Sequence, residues 1–137
     1  MDRLLVTAVV VGLAALVAFL VRQRRPVAVP MQTGQTPDAL DRSAFTAPSS
    51  PWLLAVFSSA TCMACAEVLR VARGFESANV AVQDVDFQSE PDVHKRYSID
   101  SVPTTVIADQ SGVVRGAWIG PLSIDDRDEL HRLISAE

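Results

Sequence analysis

From Trp52 onward the chain alternates short apolar runs with amphipathic stretches. Trp52-Leu53-Leu54-Ala55-Val56-Phe57 is an unbroken apolar run of strand length, the pattern of a strand covered on both faces. Ser58 to Thr61 breaks it as a turn. A helix is predicted from Cys62 to about Glu76, with Cys65, Val68, Leu69 and Ala72 on one side and Gly74 blurring its end. Val80 to Phe87 reads as a second strand, and Pro91 opens a short helix ending near Tyr97. Thr104 to Ala108, headed by Pro103, predicts a third strand. Asp109-Gln110-Ser111-Gly112 is turn chemistry, and Val113 to Ile119 returns as a fourth strand. Ser123, followed by Asp125 and Asp126, opens a capped helix whose Leu130, Leu133 and Ile134 form a buried face. This order implies an α/β domain, a mixed central sheet flanked by helices on both faces.

The stretch before Trp52 follows other rules. Leu4 to Val21 holds eighteen residues without a charge. As a helix it would cover roughly 27 Å, close to the thickness of a bilayer's hydrocarbon core. A cleaved signal peptide would put positive charge before the apolar stretch and a small-residue site after it. Here Arg22, Arg24 and Arg25 follow it and no such site does, so residues 1–25 are expected to be a retained, single-pass transmembrane anchor. The arginines place the following domain on the cytoplasmic side by the positive-inside bias, with the extracytoplasmic side as the alternative. Residues 26–51 carry five prolines among Gly, Ser, Thr and Gln, a linker composition, within which Pro37 to Phe45 could form a short helix leaning Leu40 and Phe45 on the domain. Residues 52–137 are the folded domain.

The 137 residues carry a formal net charge of −4, and no basic stripe suits nucleic acid. Cys62 and Cys65 are the only cysteines, so they do not form a disulfide framework of the secreted kind. At i and i+3 on a helix start they can close a small disulfide ring. Free backbone N–H groups and the helix dipole favour a thiolate at the first of them, and the thiolate is the attacking species in disulfide exchange. A structural zinc site would need about four ligands, and His94 and His131 fall on separate helices, where both are expected to be solvated. Thr61-Cys62-Met63-Ala64-Cys65 also superficially resembles the loop of small copper-carrying domains, so two thiolates holding Cu(I) remain an alternative. Met63 reads as a substrate-facing apolar residue, and Tyr97 and Trp118 as packing residues.

Val102-Pro103-Thr104 puts a proline at the head of a strand, where a missing ladder donor is tolerated. Together with the upstream CxxC this resembles the thioredoxin family, and in particular its membrane-anchored bacterial members. The resemblance spans about Trp52 to Ser135, and Gly120 matches a further family glycine. It implies a thioredoxin-like fold, a cis peptide at Pro103, and thiol–disulfide oxidoreductase activity without a cofactor. Cys62 would be the nucleophile and Cys65 the resolving thiol. Thr61, Val102, Pro103 and Thr104 would shape the substrate groove, with the Val102 backbone open to an extended substrate. Protein disulfides would be the substrates, a reductase or membrane relay the electron source, and the bacterial plasma membrane the location. Reduction is the expected direction, with a redox-inactive or copper-carrying module as the alternative function.

The chain also departs from the family. Thr61 stands where thioredoxins carry tryptophan, and Met63-Ala64 where they carry Gly-Pro. The family's buried carboxylate, six residues before the first cysteine, falls at Val56, and the lysine accompanying it on the next strand falls at Val82. Losing both is coherent, because one buried charge left alone is costly.

Overall fold

The computed structural model describes residues 2–23 and 34–136. The chain divides into two units, Met1–Pro30 and Met31–Glu137. The first contains helix α1 (Asp2–Gln23). Among the described residues no helix is long and apolar enough to cross a membrane. Within α1 the side chains of residues 2, 4, 5, 8 and 18–23 lie outside the description.

The second unit is built on a four-stranded sheet of β1 (Trp52–Ser58), β2 (Val80–Asp86), β3 (Thr104–Asp109) and β4 (Val114–Ile119), in the order β2-β1-β3-β4. β1 pairs parallel with β2 and antiparallel with β3, and β3 pairs antiparallel with β4. The parallel pair needs a crossover, supplied by α2 (Met63–Arg73); the antiparallel pair β3–β4 closes through the tight turn at Asp109 to Gly112. α3 (Pro91–Arg96) lies between β2 and β3, and α4 (Ile124–Ser135) ends the chain.

β1 is apolar throughout because both its faces are covered. Leu53, Ala55 and Phe57 point into one core with Val85, Val106 and Ala108, closed by Val93 of α3 and by Leu40 and Phe45. Trp52, Leu54 and Val56 point into the other with Val68 and Ala72 of α2 and Leu130 of α4. Each fully buried side chain of this size contributes about 1.5–3 kcal/mol, which fixes the strand at the centre.

α2 stops earlier than Glu76. The N–H groups of Gly74, Phe75 and Glu76 each bond to the carbonyl three residues back, so the helix tightens into turns after Arg73. α4 begins as expected, with Ser123 and Asp126 forming a reciprocal capping box.

Much of the stretch read as linker is packed on the sheet. Leu40, Arg42 and Phe45 are buried. Leu40 N–H donates to the Gly112 carbonyl (2.8 Å) and Val114 N–H to that of Asp38 (3.0 Å), so this segment adds a bridge beside the β3–β4 hairpin. Spending those backbone groups on the hairpin leaves no continuous helix from Pro37. What forms is one 3-10 turn, Arg42–Ala44, capped by the Asp41 side chain.

Candidate functional site

β1 ends at Ser58 and delivers the chain through a tight turn to the start of α2. Cys62 N–H donates to the Ser59 carbonyl (2.9 Å), which sets Cys62 as the N-cap of α2 rather than its first residue. Its Sγ accepts the N–H of Cys65 at 3.2 Å. The sulfur thus takes one of the donors that a helix start leaves unpaired. Cys62 and Cys65 are joined as a disulfide. Cys62 is partly accessible whereas Cys65 is buried at 2 % exposure. Met63 between them is 94 % exposed.

The Val102–Pro103 peptide is cis. The loop is held from two sides. Thr104 Oγ1 donates to the Ser101 carbonyl (2.7 Å), and Gly120 N–H donates to that of Pro103 (2.7 Å). Gly120 does so at φ +93°, a conformation in which glycine carries no side-chain penalty. Thr104 is therefore buried and committed to the loop, Pro103 is buried, and Thr61 and Val102 are exposed.

Two cavities flank this turn. One, of about 290 Å³, is lined by both cysteines together with Ser58, Ser59, Leu69, Asp84 and Asp86 among others. The other, of about 310 Å³, is lined by Ser59, Phe87, His94, Ile99, Asp100 and Val102. Ser59 belongs to both, so the cysteine pair and the residue before the cis proline lie on either side of one turn.

Two expectations change here. The lysine position beside the missing carboxylate is not Val82: the register of β1 with β2 pairs Val56 with Asp84. The offset that places it at Val82 ignores the strand pairing that actually fixes the neighbour. Asp84 accepts a hydrogen bond from the Ser58 hydroxyl. His94 is not solvated but 2 % exposed, packed edge-on against Phe57 (5.2 Å) and Phe87 (5.3 Å). A helix of six residues offers too few turns to show which face is buried. His131 is exposed and lies tilted against the Phe75 ring, while Tyr97 and Trp118 pack against the two cores.

The fold is thioredoxin-like. A mutant thioredoxin from Halobacterium salinarum aligns with 65 % of this chain and 76 % of its own at 22 % identity and a TM-score of 0.53. The oxidised mitochondrial thioredoxin of Saccharomyces cerevisiae aligns with 66 % of this chain and 82 % of its own at 19 % identity and a TM-score of 0.49. The chain matches no protein-family model and no curated protein.

Proposed function

We propose that this chain is a thiol–disulfide oxidoreductase that reduces protein disulfides while tethered to a bacterial plasma membrane by residues 4–21. The observation that carries the chemistry is the Cys65 N–H aimed at Cys62 Sγ at the start of α2. A backbone donor and a helix N-terminus both favour negative charge on that sulfur, and so the reactive thiolate.

In the reduced enzyme the Cys62 thiolate attacks one sulfur of a substrate disulfide. The substrate S–S bond breaks, one substrate sulfur leaves as a thiolate that takes up a proton, and a mixed disulfide remains on Cys62. Cys65 loses its proton and attacks Cys62 Sγ, which releases the second substrate thiol and closes the Cys62–Cys65 disulfide. Two electrons pass to the substrate, and a reductase or membrane relay returns them. Thr61 and Val102 form the accessible groove wall, with Pro103 and Thr104 fixing the loop behind it. The uncharged stretch of residues 4–21 supports the tether, and the arginines after it support a cytoplasmic domain.

Equilibration of the full chain, purified in detergent, in glutathione buffers tests this. A midpoint near about −270 mV supports a reductant, and one near about −120 mV makes it an oxidant. If Cys62 and Cys65 never interconvert reversibly, the enzyme reading falls and Cu(I) carriage by the two thiolates takes its place.

A further inference from the structure

Among the described residues three buried side-chain atoms lack a hydrogen-bond partner: Arg42 Nε, Thr105 Oγ1 and Arg127 Nε. Both arginines spend other guanidinium nitrogens on carbonyls. Thr105 has only its hydroxyl, and the residue is fully buried. A buried polar group left unpaired costs free energy, which raises the question of what it meets in another state of the protein.

Strand register says where this hydroxyl sits. One row crosses the sheet through Asp84, Val56, Thr105 and Trp118. Directly paired residues point to the same face, and Val56 and Trp118 both pack in the core that α2 covers. Cys65, Val68 and Ala72 form the buried side of α2, and Val68 shares that core with Val56. Cys65 lies one turn nearer the helix start and lines a cavity with Ser58, two residues beyond Val56, and with Asp84. The first turn of α2 therefore covers the end of the sheet that this row crosses, with Asp84 on one side of Val56 and Thr105 on the other.

The chemistry gives a hydroxyl at this place a use. Cys65 must become a thiolate to resolve a mixed disulfide, and at 2 % exposure it is poorly hydrated. Asp84 and Asp86, the charged groups on the cavity wall, repel a negative sulfur. The Ser58 hydroxyl is spent on Asp84, and that of Ser59 on Thr61 and Gln88. Resting on the reductase reading, we infer that the Thr105 hydroxyl donates a hydrogen bond to the Cys65 thiolate in the reduced enzyme and in its mixed disulfide. The Cys65 proton passes to solvent, and Thr105 keeps its own. When Cys65 Sγ bonds Cys62 Sγ, the bond to the substrate sulfur breaks and the charge leaves with that sulfur. The hydroxyl is then without an acceptor, as in the disulfide form described above.

The test uses the reduced full chain in detergent and a bis-nitrobenzoate disulfide whose released thiolate is yellow. Attack by Cys62 releases the first thiolate, and attack by Cys65 on the resulting mixed disulfide releases the second, so one trace times both steps. Thr105→Val keeps the side-chain shape and removes the donor, which should lower the Cys65 thiolate population about tenfold at pH 7. Each remaining thiolate is the stronger nucleophile, so the second release should slow only about threefold relative to the first. Its pH profile should level off about one unit higher and at a faster final rate, a crossing that a loosened core does not produce. Thr105→Ser restores the hydroxyl and should return the native profile. Thr105→Ala lacks the hydroxyl in a smaller side chain and should follow Thr105→Val, so a single misfolded variant leaves the inference falsifiable. A native profile for the second release in either folded hydroxyl-free variant overturns it, and so does a slowing that Thr105→Ser shares. If the native chain releases only the first thiolate, Cys62 and Cys65 are not a redox pair and the reductase reading itself has failed.

Discussion

Asp84 stands beside Val56 in the parallel register of β1 and β2, with the Ser58 hydroxyl bonded to its carboxylate. The pair puts a carboxylate on the neighbouring strand, at the wall of the cavity that Cys62 and Cys65 also line. A negative charge there opposes a thiolate and so disfavours the reduced pair. Asp84→Asn should raise the midpoint potential by about 10–20 mV at low salt, the shift shrinking as salt screens an exposed charge. Glutathione titration of the two proteins side by side checks it, and an unchanged or lowered midpoint would show that Asp84 does not act on the pair.

That relationship was hidden in the sequence for a physical reason. β1 was legible because a strand buried on both faces is apolar at every position, and the capped start of α4 because Ser123 and Asp126 are local partners. CxxC and the proline before β3 were legible as well, each marking a backbone that needs that residue. Asp84 and His94 were not. Their neighbours come from strand register and from packing of a six-residue helix, neither of which leaves a period in the chain. The segment before Trp52 was legible in part: Leu40 and Phe45 lean on the domain as read and complete the core under β1, but the segment forms one 3-10 turn and not the short helix expected from Pro37.

Gly112 tests how firmly that segment is attached. It sits at φ +90°, and a Cβ there would lie 2.0 Å from the Leu40 carbonyl oxygen. Gly112→Ala therefore meets both an unfavourable backbone conformation and a clash with main chain that cannot step aside. A loss of about 2–4 kcal/mol is expected in urea unfolding. A loss below about 0.5 kcal/mol, the range of an ordinary surface change, would mean that the Leu40 contact is dispensable.

Arg42 fastens the same segment from inside. Its guanidinium donates to the carbonyls of Asp109 (2.8 Å), Ala47 (3.0 Å) and Ser50 (3.1 Å). Burial lowers its pKa, and the Asp109 carboxylate works against that shift. Arg42→Lys keeps a charge but cannot span three carbonyls in different directions, so about 1–3 kcal/mol should be lost. Hydrogen exchange should speed up first at Leu40 and Val114, whose amides hold the bridge. Uniform acceleration across the sheet would instead make Arg42 a general core residue.

The capping box of α4 gives a pH signature with a definite sign. The Ser123 hydroxyl and backbone N–H both donate to Asp126, at 2.6 and 2.7 Å, and hold its pKa below the ordinary carboxylate value. Because the folded value is the lower one, the charged carboxylate's stabilisation is complete above the unfolded pKa of about 3.9. It fades as pH falls through the folded value. The native chain should thus outlast Asp126→Asn in urea at pH 7, and the two midpoints should converge as the pH is taken to about 2. A gap that stays constant over that range would assign the loss to altered helix packing rather than to the charge at the N-terminus of α4.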